Sequence, residues 1–365
     1  MRNILSAASL FALMFAFYSC NHALSKEETP SEIASDTGKV VPVVITETVN
    51  FDTDDPAIWI NPANPAQSLI VGTDKETDGG IFVFDLGGKI VGKIPGLKRP
   101  NNVDIAYGIS LNGKPTDILV TTERETNKLR IYSLPDLKPV DKGGIEVFVS
   151  DSLRSPMGIA IYTSPDKSIY AIAGRKSGPS GSYLWQYKLE DDGSGNVKGT
   201  VVRKFGAYSG KKEIESIAVD NELGYVYYSD EMYGVHKYYA SSDSGNIELA
   251  LFGQHDFKED VEGISIYKHT DGTGYILVSN QQANTFVVYP REGEKGNPHK
   301  QDKITEIPVS TEESDGSDVI NLALGDKFPK GLFVAMSNGR VFHYYDWRDL
   351  QHRIDQATVK LITKK

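Results

Sequence analysis

The chain has 365 residues, of which 39% are hydrophobic, enough for the core of one large β domain. Asp and Glu outnumber Lys and Arg by 49 to 39, so the formal net charge is −10. This balance argues against a nucleic-acid partner, which requires a basic face. The 34 glycines and 19 tyrosines favour many short strands joined by tight turns.

The N-terminus has the features of an export signal. Arg2 supplies a positive charge, and residues 4–18 form an apolar run that is too short to span a bilayer comfortably. Cys20, the sole cysteine, follows a small residue at the end of this run, as the acylated cysteine of a bacterial lipoprotein does. We predict a lipoprotein signal peptide over 1–19, a lipidated Cys20 and a flexible tether over 20–39. The protein would then face the periplasm or the cell surface from the outer membrane; the alternative is an ordinary signal peptide and secretion.

A three-strand unit recurs six times between residues 40 and 350, with starts roughly 45 to 60 residues apart. This spacing predicts an all-β, single-domain, six-bladed β-propeller with a fourth, outer strand in each blade. Residues 41–49 are expected to form the outer strand of the last blade and close the ring, which would leave 351–365 as a C-terminal tail. The predicted first strands are 55–59, 102–106, 158–162, 216–220, 263–267 and 319–323. The second strands are 68–72, 117–121, 168–173, 225–229, 274–279 and 331–336. The third strands are 80–84, 128–132, 182–187, 234–239, 285–289 and 340–344.

Carboxylates recur at one place in this unit, at the start of the first strand. Propellers gather the starts of their inner strands around a central channel, so these side chains are expected to converge. So many like charges repel unless cations share them, and clustered oxygens suit Ca²⁺, which takes roughly six to eight ligands. A turn-capping role is the alternative for any one of them. The predicted metal ligands of this set are Asp54, Asp55, Glu215, Asp260, Glu262, Asp315 and Asp318.

Cationic residues follow the second strands, where the chain returns toward the same region. Arg can hold a phosphate group with two parallel hydrogen bonds, and Lys can neutralise it as a point charge. The pattern therefore predicts a polyanionic substrate beside a metal site, although each residue alone could be an ordinary solvated one. The predicted phosphate-binding residues are Lys75, Arg124, Arg175 and Lys176. Glu231, at the same position of the repeat, is a further predicted metal ligand.

Four segments resemble the β-propeller phytases of bacteria. They are residues 54–59 (Asp-Asp-Pro-Ala-Ile-Trp), 101–105 (Asn-Asn-Val-Asp-Ile), 260–263 (Asp-Val-Glu-Gly) and 325–336. The resemblance extends from about Phe51 to Trp347. It implies a six-bladed propeller that is a Ca²⁺-dependent phosphomonoesterase of the 3-phytase class, binding several Ca²⁺ ions, with phytate (myo-inositol hexakisphosphate) and other inositol phosphates as substrates. We expect the protein to be a monomer.

The resemblance also implies roles for individual residues. Catalytic-site Ca²⁺ would be held by Asp55, Glu215, Asp260 and Glu262, with Glu231 nearby, and a structural Ca²⁺ by Asp315 and Asp318. Lys75 and Arg124 would hold the phosphate to be cleaved and, with Glu215 and Asp260, form the catalytic set. Arg175 stands where the family has Lys, and Met157 stands where it has a phosphate-contacting Tyr.

The expected mechanism is direct hydrolysis by a water molecule whose pKa is lowered by bound metal. The sequence has neither a Gly-x-Ser-x-Gly nucleophile motif nor a His-rich acid-phosphatase pattern. Two alternatives remain at this point. One is a metal-dependent lactonase on a similar ring, which needs no cationic residues at the site. The other is a non-catalytic surface propeller that binds a partner.

Overall fold

A computed structural model describes residues 38–363, with side chains as far as residue 359. The predicted signal peptide, Cys20 and nearly all of the tether lie outside the described residues. The first twelve strands are β1 (Val44–Ile45), β2 (Thr53–Trp59), β3 (Leu69–Asp74), β4 (Gly79–Phe84), β5 (Ile90–Leu97), β6 (Pro100–Leu111), β7 (Lys114–Glu123), β8 (Lys128–Leu134), β9 (Ile145–Glu146), β10 (Pro156–Thr163), β11 (Ile169–Arg175) and β12 (Leu184–Asp191).

The remaining strands are β13 (Val197–Phe205), β14 (Ile217–Asp220), β15 (Tyr225–Asp230), β16 (Gly234–Tyr239), β17 (Glu248–Phe252), β18 (Val261–Lys268), β19 (Gly274–Asn280), β20 (Thr285–Pro290), β21 (Thr305–Pro308), β22 (Ser317–Ile320), β23 (Leu332–Ser337) and β24 (Val341–Asp346). This part of the chain also has three short 3₁₀ turns, at Pro65–Gln67, Ser242–Ser244 and Gln281–Ala283, and one helix, α1, over Trp347–Thr363.

These strands form six antiparallel, four-stranded sheets, which are the blades of the predicted propeller. Blades 1 to 5 are consecutive in sequence: β2–β5, β6–β9, β10–β13, β14–β17 and β18–β21. Blade 6 combines β22, β23 and β24 with β1 from the start of the domain. Val44 pairs with Tyr344 and Ile45 with His343, so the predicted ring closure is confirmed, although the closing strand has only two residues.

The core lies between the blades rather than inside any one of them. Each of six buried clusters joins two neighbouring blades, because a blade has apolar side chains on both faces. The cluster between blades 6 and 1 packs Phe82 and Phe84 against Val334 and Phe342, which closes the ring by side-chain packing as well. A Cβ at Gly72 would lie 2.3 Å from the Phe342 ring, so this close approach requires glycine.

Side chains near the starts of the inner strands connect neighbouring blades by hydrogen bonds. Oδ2 of Asp104 in blade 2 accepts from the N–H of Ile161 in blade 3 at 2.6 Å. Oγ of Ser216 in blade 4 likewise accepts from the N–H of Ile264 in blade 5 at 2.9 Å. Because these contacts run around the central channel, they hold the inner strands in register. They thereby also position the charged residues that precede these strands.

The segment after blade 6 is helical as far as Thr363, whereas the sequence pattern predicts only a tail over 351–365. α1 packs on the ring, and its Leu350 and Ile354 are buried in the cluster between blades 5 and 6. The Trp347 ring stacks on Tyr267 with centroids 3.6 Å apart. Within residues 38–363, no helix is long and apolar enough to cross a membrane.

Candidate active site

Lys75 is at the centre of a charged network at the mouth of the channel. It follows β3, and its Nζ lies 2.7 Å from Oδ1 of Asp54 and 2.9 Å from Oδ2 of Asp315. Oε1 of Glu215 is 4.0 Å away. These residues come from blades 1, 6 and 4, so the predicted convergence of strand entries is observed. Burial alone would lower the pKa of the Lys75 ammonium, but the three carboxylates outweigh burial and raise the pKa.

Arg124 extends this network from blade 2. Its guanidinium donates to Oδ1 of Asn101, whose Nδ2 donates to Oε1 of Glu215 at 2.6 Å. Within residues 38–359, Nε of Arg124 is buried and has no hydrogen-bond partner. Burial lowers the pKa of Arg124, and a guanidinium nevertheless stays charged at neutral pH. Arg124 therefore carries a positive charge and a hydrogen-bond donor that the described residues do not satisfy.

A second carboxylate cluster adjoins the first. Ligand oxygens of Glu231, Asp260 and Glu262 lie within 4.8 Å of one another, and so do those of Glu213, Glu215 and Glu231. Glu231 belongs to both groups and therefore joins them. Glu231, Asp260 and Glu262 are all buried, so their mutual repulsion is weakly screened by solvent.

Burial has a large effect on the pKa of three carboxyl groups of the site, those of Glu262, Asp54 and Glu231. It raises the pKa of Glu262 and Asp54 well above the usual carboxylate values. It raises the pKa of Glu231 to about 8, although the Lys212 ammonium opposes this effect. Raised pKa values of this kind mark carboxylates whose charge needs a partner beyond those that the chain supplies.

The donor set fits a hard divalent cation. Oε1 of Glu231, Oε2 of Glu262 and Oδ2 of Asp54 are buried without a hydrogen-bond partner among the described residues. Unsatisfied buried oxygens are costly, and a cation that takes oxygen ligands would satisfy them. The two metal-sized groups found in residues 38–359 consist of glutamate and aspartate alone, which favours Ca²⁺ over Zn²⁺.

Asp55 and Asp318 lie apart from this network, so their role as metal ligands stays a prediction. They line the channel cavity of about 370 Å³. Oδ2 of Asp55 accepts from the N–H of Val103 at 3.0 Å, and Oδ2 of Asp318 from the N–H of Ile58 at 2.8 Å. Both are therefore inter-blade hydrogen-bond acceptors like Asp104. Burial raises the pKa of Asp318 to about 7.

Arg175 also lies apart from this network, in contrast to the predicted grouping of the phosphate-binding residues, and its role in binding phosphate stays a prediction. Its side chain is fully buried, forms an ion pair of 2.8 Å with Asp151, and donates to the carbonyls of Leu153 and Ser182. Its guanidinium lies over the Phe148 ring at 4.7 Å. Lys176, the next residue, is half exposed and lies 3.1 Å from Glu213 at the edge of the site.

Two glycines allow the strand entries to approach one another. A Cβ at Gly158 would lie 2.1 Å from the carbonyl oxygen of Glu215, and one at Gly316 would lie 2.5 Å from Oδ1 of Asp55. Neither position tolerates a side chain, because the clashing atoms include backbone or buried groups. Met157, next to the first of these glycines, is fully buried and offers no hydroxyl group.

Three residues of the site, Lys212, Glu213 and Asn101, were not predicted from the sequence. Lys212 and Glu213 lie in the loop between β13 and β14, where charged side chains are ordinarily solvated, so no sequence signal distinguishes them. Asn101 stands at a strand entry, the same position in the repeat as the carboxylates, but an uncharged amide at that position does not by itself indicate a metal or phosphate site.

Comparison with known proteins assigns the chain to a family. The family model described as Phytase matches residues 2–343. This chain belongs to the phytase family. A 3-phytase of Bacillus subtilis (strain 168) is 31% identical over 302 residues, covering 79% of this chain and 75% of that protein. Among solved structures, the Dos1 propeller is similar with 10% identity and a TM-score of 0.42, covering 81% of this chain and 68% of that one.

The phytase assignment confirms the family predicted from the four segments and the enzyme class that the family implies. The network around Lys75 and Glu231 is then the candidate phytase site. It brings together six predicted metal ligands and three predicted phosphate-binding residues, namely Asp54, Glu215, Glu231, Asp260, Glu262, Asp315, Lys75, Arg124 and Lys176.

Proposed function

We propose that the protein is a Ca²⁺-dependent phosphomonoesterase that removes phosphate from phytate at the mouth of the propeller channel. The observation that carries this proposal is the contact of Lys75 with Asp54 and Asp315, beside carboxylate oxygens that have no hydrogen-bond partner within residues 38–359. A phosphate ester needs cations on its oxygens, and buried carboxylates need cations of their own, so one site can serve both requirements. A lactonase would require no such cationic residues.

The cation would be held by Glu231, Asp260 and Glu262, with Glu215 and Glu213 able to share it. When bound, Ca²⁺ would supply positive charge for the phosphate oxygens and lower the pKa of a water molecule.

The side chains of this protein bind and orient the substrate. Asn101 accepts a hydrogen bond from the guanidinium of Arg124 and so orients it. We expect this guanidinium to donate to oxygens of the phosphate group. Lys75 is held between Asp54 and Asp315 and adds a fixed positive charge beside it. Charge that develops on the phosphoryl oxygens would be stabilised by these preorganised groups. Lys176 lies beside Glu213 at the edge of the site, and we expect it to contact a neighbouring phosphate of the same inositol ring.

Phosphate release from phytate tests this function. The purified protein should release phosphate with Ca²⁺ present, lose this activity in excess chelator and regain it when Ca²⁺ is restored. Undiminished hydrolysis in excess chelator would contradict the calcium-dependent mechanism. No phosphate release under any metal condition would favour the non-catalytic propeller.

We also propose that the protein is an exported lipoprotein anchored through Cys20, with the propeller as a monomer outside the cytoplasm. The support is the N-terminal sequence alone: Arg2, the apolar run over 4–18, and a cysteine after a small residue. In the producing cell, Cys20→Ser should release the protein from the membrane fraction. Retention of the variant in that fraction would exclude the lipid anchor.

A further inference from the structure

The ammonium group of Lys212 lies among the carboxylates that fit a divalent cation. Its Nζ is 2.7 Å from Oε2 of Glu231 and 2.7 Å from Oδ2 of Asp260. Glu262, the third carboxylate of that group, is buried beside them with an oxygen that has no partner among the described residues. Lys212 is therefore a cationic group that the chain itself supplies to this cluster.

The position of Lys212 allows its ammonium group to move out of the carboxylate cluster into solvent. The residue lies in the loop between β13 and β14, and its side chain is 42% exposed, whereas Glu231 and Asp260 are buried. The Tyr208 hydroxyl donates to the backbone carbonyl of Lys212, which fixes the loop backbone. The Lys212 side chain is not part of this contact. Rotation about the side-chain bonds is enough to move the ammonium into solvent, so the carboxylates need not move.

We propose that Lys212 is a built-in counter-cation that a divalent cation displaces, and that this exchange makes the site selective for divalent over monovalent cations. The inference rests on the proposed function, because it assumes that the same carboxylates receive the catalytic cation. It assigns to Lys212 a role in cation specificity, whereas Lys75 and Arg124 are assigned to the substrate.

The selectivity follows from charge and from tethering. A tethered ammonium competes at an effective concentration on the order of millimolar, so an ion must bind better than the ammonium to displace it. A monovalent ion that displaces the ammonium replaces one positive charge by another, so its attraction to the carboxylates is little greater than that of the ammonium. A divalent ion doubles the charge facing three buried carboxylates, where attraction is weakly screened.

The chain offers a matched control at the preceding residue. Lys211 is exposed, and its Nζ donates to the carbonyl oxygen of Met232 at 3.0 Å rather than to a carboxylate. Lys211→Met and Lys212→Met therefore change the net charge of the protein equally. Only Lys212→Met removes the ammonium group from the carboxylate cluster. Lys212→Arg keeps the charge and serves as the conservative variant.

The first test is calorimetric titration of the chelator-treated, dialysed full-length protein with CaCl₂. Lys212→Met should bind Ca²⁺ about tenfold more tightly than wild type, a change of about 1.4 kcal/mol. Lys211→Met and Lys212→Arg should stay within about twofold of wild type. Equal affinities for the two methionine variants, or weaker binding by Lys212→Met, would overturn the proposal. Phytate hydrolysis is not part of this readout, so failure of the proposed function and failure of this inference are distinguishable.

The second test uses thermal unfolding of the metal-free protein. Without its ammonium the cluster repels itself, so metal-free Lys212→Met should melt several degrees below Lys211→Met. Added NaCl should raise its Tm more than that of the control, because Na⁺ can now enter the cluster. Equal responses of the two variants to NaCl would contradict the selectivity role even if both fold normally.

Discussion

Nζ of Lys75 in blade 1 lies 2.9 Å from Oδ2 of Asp315 in blade 6, so one ion pair spans the two blades at which the ring closes. The same ammonium contacts Asp54 at 2.7 Å. Without metal, the lysine that we propose to bind substrate is thus partly neutralised by its own carboxylate neighbours. A cation bound to the carboxylates would leave more of its charge for the substrate.

Lys75→Ala should lower kcat/KM for phytate by about 10- to 150-fold, which corresponds to the loss of one charged hydrogen bond of about 1.5–3 kcal/mol. The measurement is steady-state phosphate release at saturating Ca²⁺. Lys188→Ala is the control, because Lys188 pairs with Glu190 on blade 3 away from the site. A Lys75 variant with wild-type kinetics would remove Lys75 from the phosphate-binding set and reopen the lactonase alternative.

Arg175→Ala should destabilise the protein rather than weaken substrate binding. The change removes an ion pair with Asp151, two hydrogen bonds to carbonyls and the contact with Phe148, so we expect a loss of about 2–4 kcal/mol. Urea unfolding measures this loss, and Lys176→Ala is the control because that side chain is half exposed. If Arg175→Ala instead kept its stability and raised KM for phytate, Arg175 would be a phosphate-binding residue after all.

Glu262→Gln should stabilise the metal-free protein and weaken its cation binding. Burial holds the pKa of Glu262 well above its usual value of 4.5, so the folded state binds a proton more tightly than the unfolded state. Stability of the metal-free wild type should therefore fall as pH rises above about 4.5 toward the raised pKa. The variant carries no such group, so its Tm should fall less over this range. At alkaline pH its free energy of unfolding should exceed that of wild type by about 1–3 kcal/mol.

Thermal melts of metal-free protein from acid to alkaline pH measure this effect, and Ca²⁺ titration at neutral pH measures the lost affinity. Glu259→Gln is the control, because Glu259 is exposed three residues earlier on the same segment. Parallel pH profiles for wild type and Glu262→Gln would show that Glu262 carries no buried charge.

His236→Gln should cost stability at acidic pH more than at alkaline pH. Burial alone would lower the pKa of His236, but its contacts with Asp230 at 3.2 Å and Glu248 at 2.8 Å outweigh burial and raise the pKa above 6.5. The stabilisation is complete below the unfolded-state pKa of about 6.5 and is lost as pH rises through the higher folded-state pKa. A tenfold difference in proton affinity between the folded and unfolded states corresponds to about 1.4 kcal/mol.

Urea unfolding of wild type and His236→Gln at several pH values gives the difference directly. The difference in free energy of unfolding between wild type and His236→Gln should shrink as pH rises. His255 is exposed, so His255→Gln should have the same stability as wild type at every pH. A gap that stays constant with pH would show that His236 stabilises only by stacking on Tyr228.

The ring of blades could be predicted from the amino-acid sequence. Strand alternation, turn residues and the recurrence of one unit predict six blades, because each blade buries both faces against its neighbours and a repeat must close to leave no open side. The closing role of residues 41–49 follows from the same count, since the last unit lacks a fourth strand. The entry carboxylates could be predicted as a cluster because the starts of inner strands converge in any propeller.

Two pairs of adjacent charged residues contribute only one member each to the site, and tertiary structure alone determines which one. A bulge in the pairing of β2 with β3 separates Asp54, which meets Lys75, from Asp55, which turns into the channel. Arg175 is buried against Phe148 while Lys176 remains half exposed, although both are cationic and adjacent in sequence. Burial and partner choice depend on side chains that are distant in sequence, and local sequence contains no information about those contacts. The position of Lys212 among the carboxylates of blades 4 and 5 has the same origin, because a loop without a repeated pattern is placed by packing.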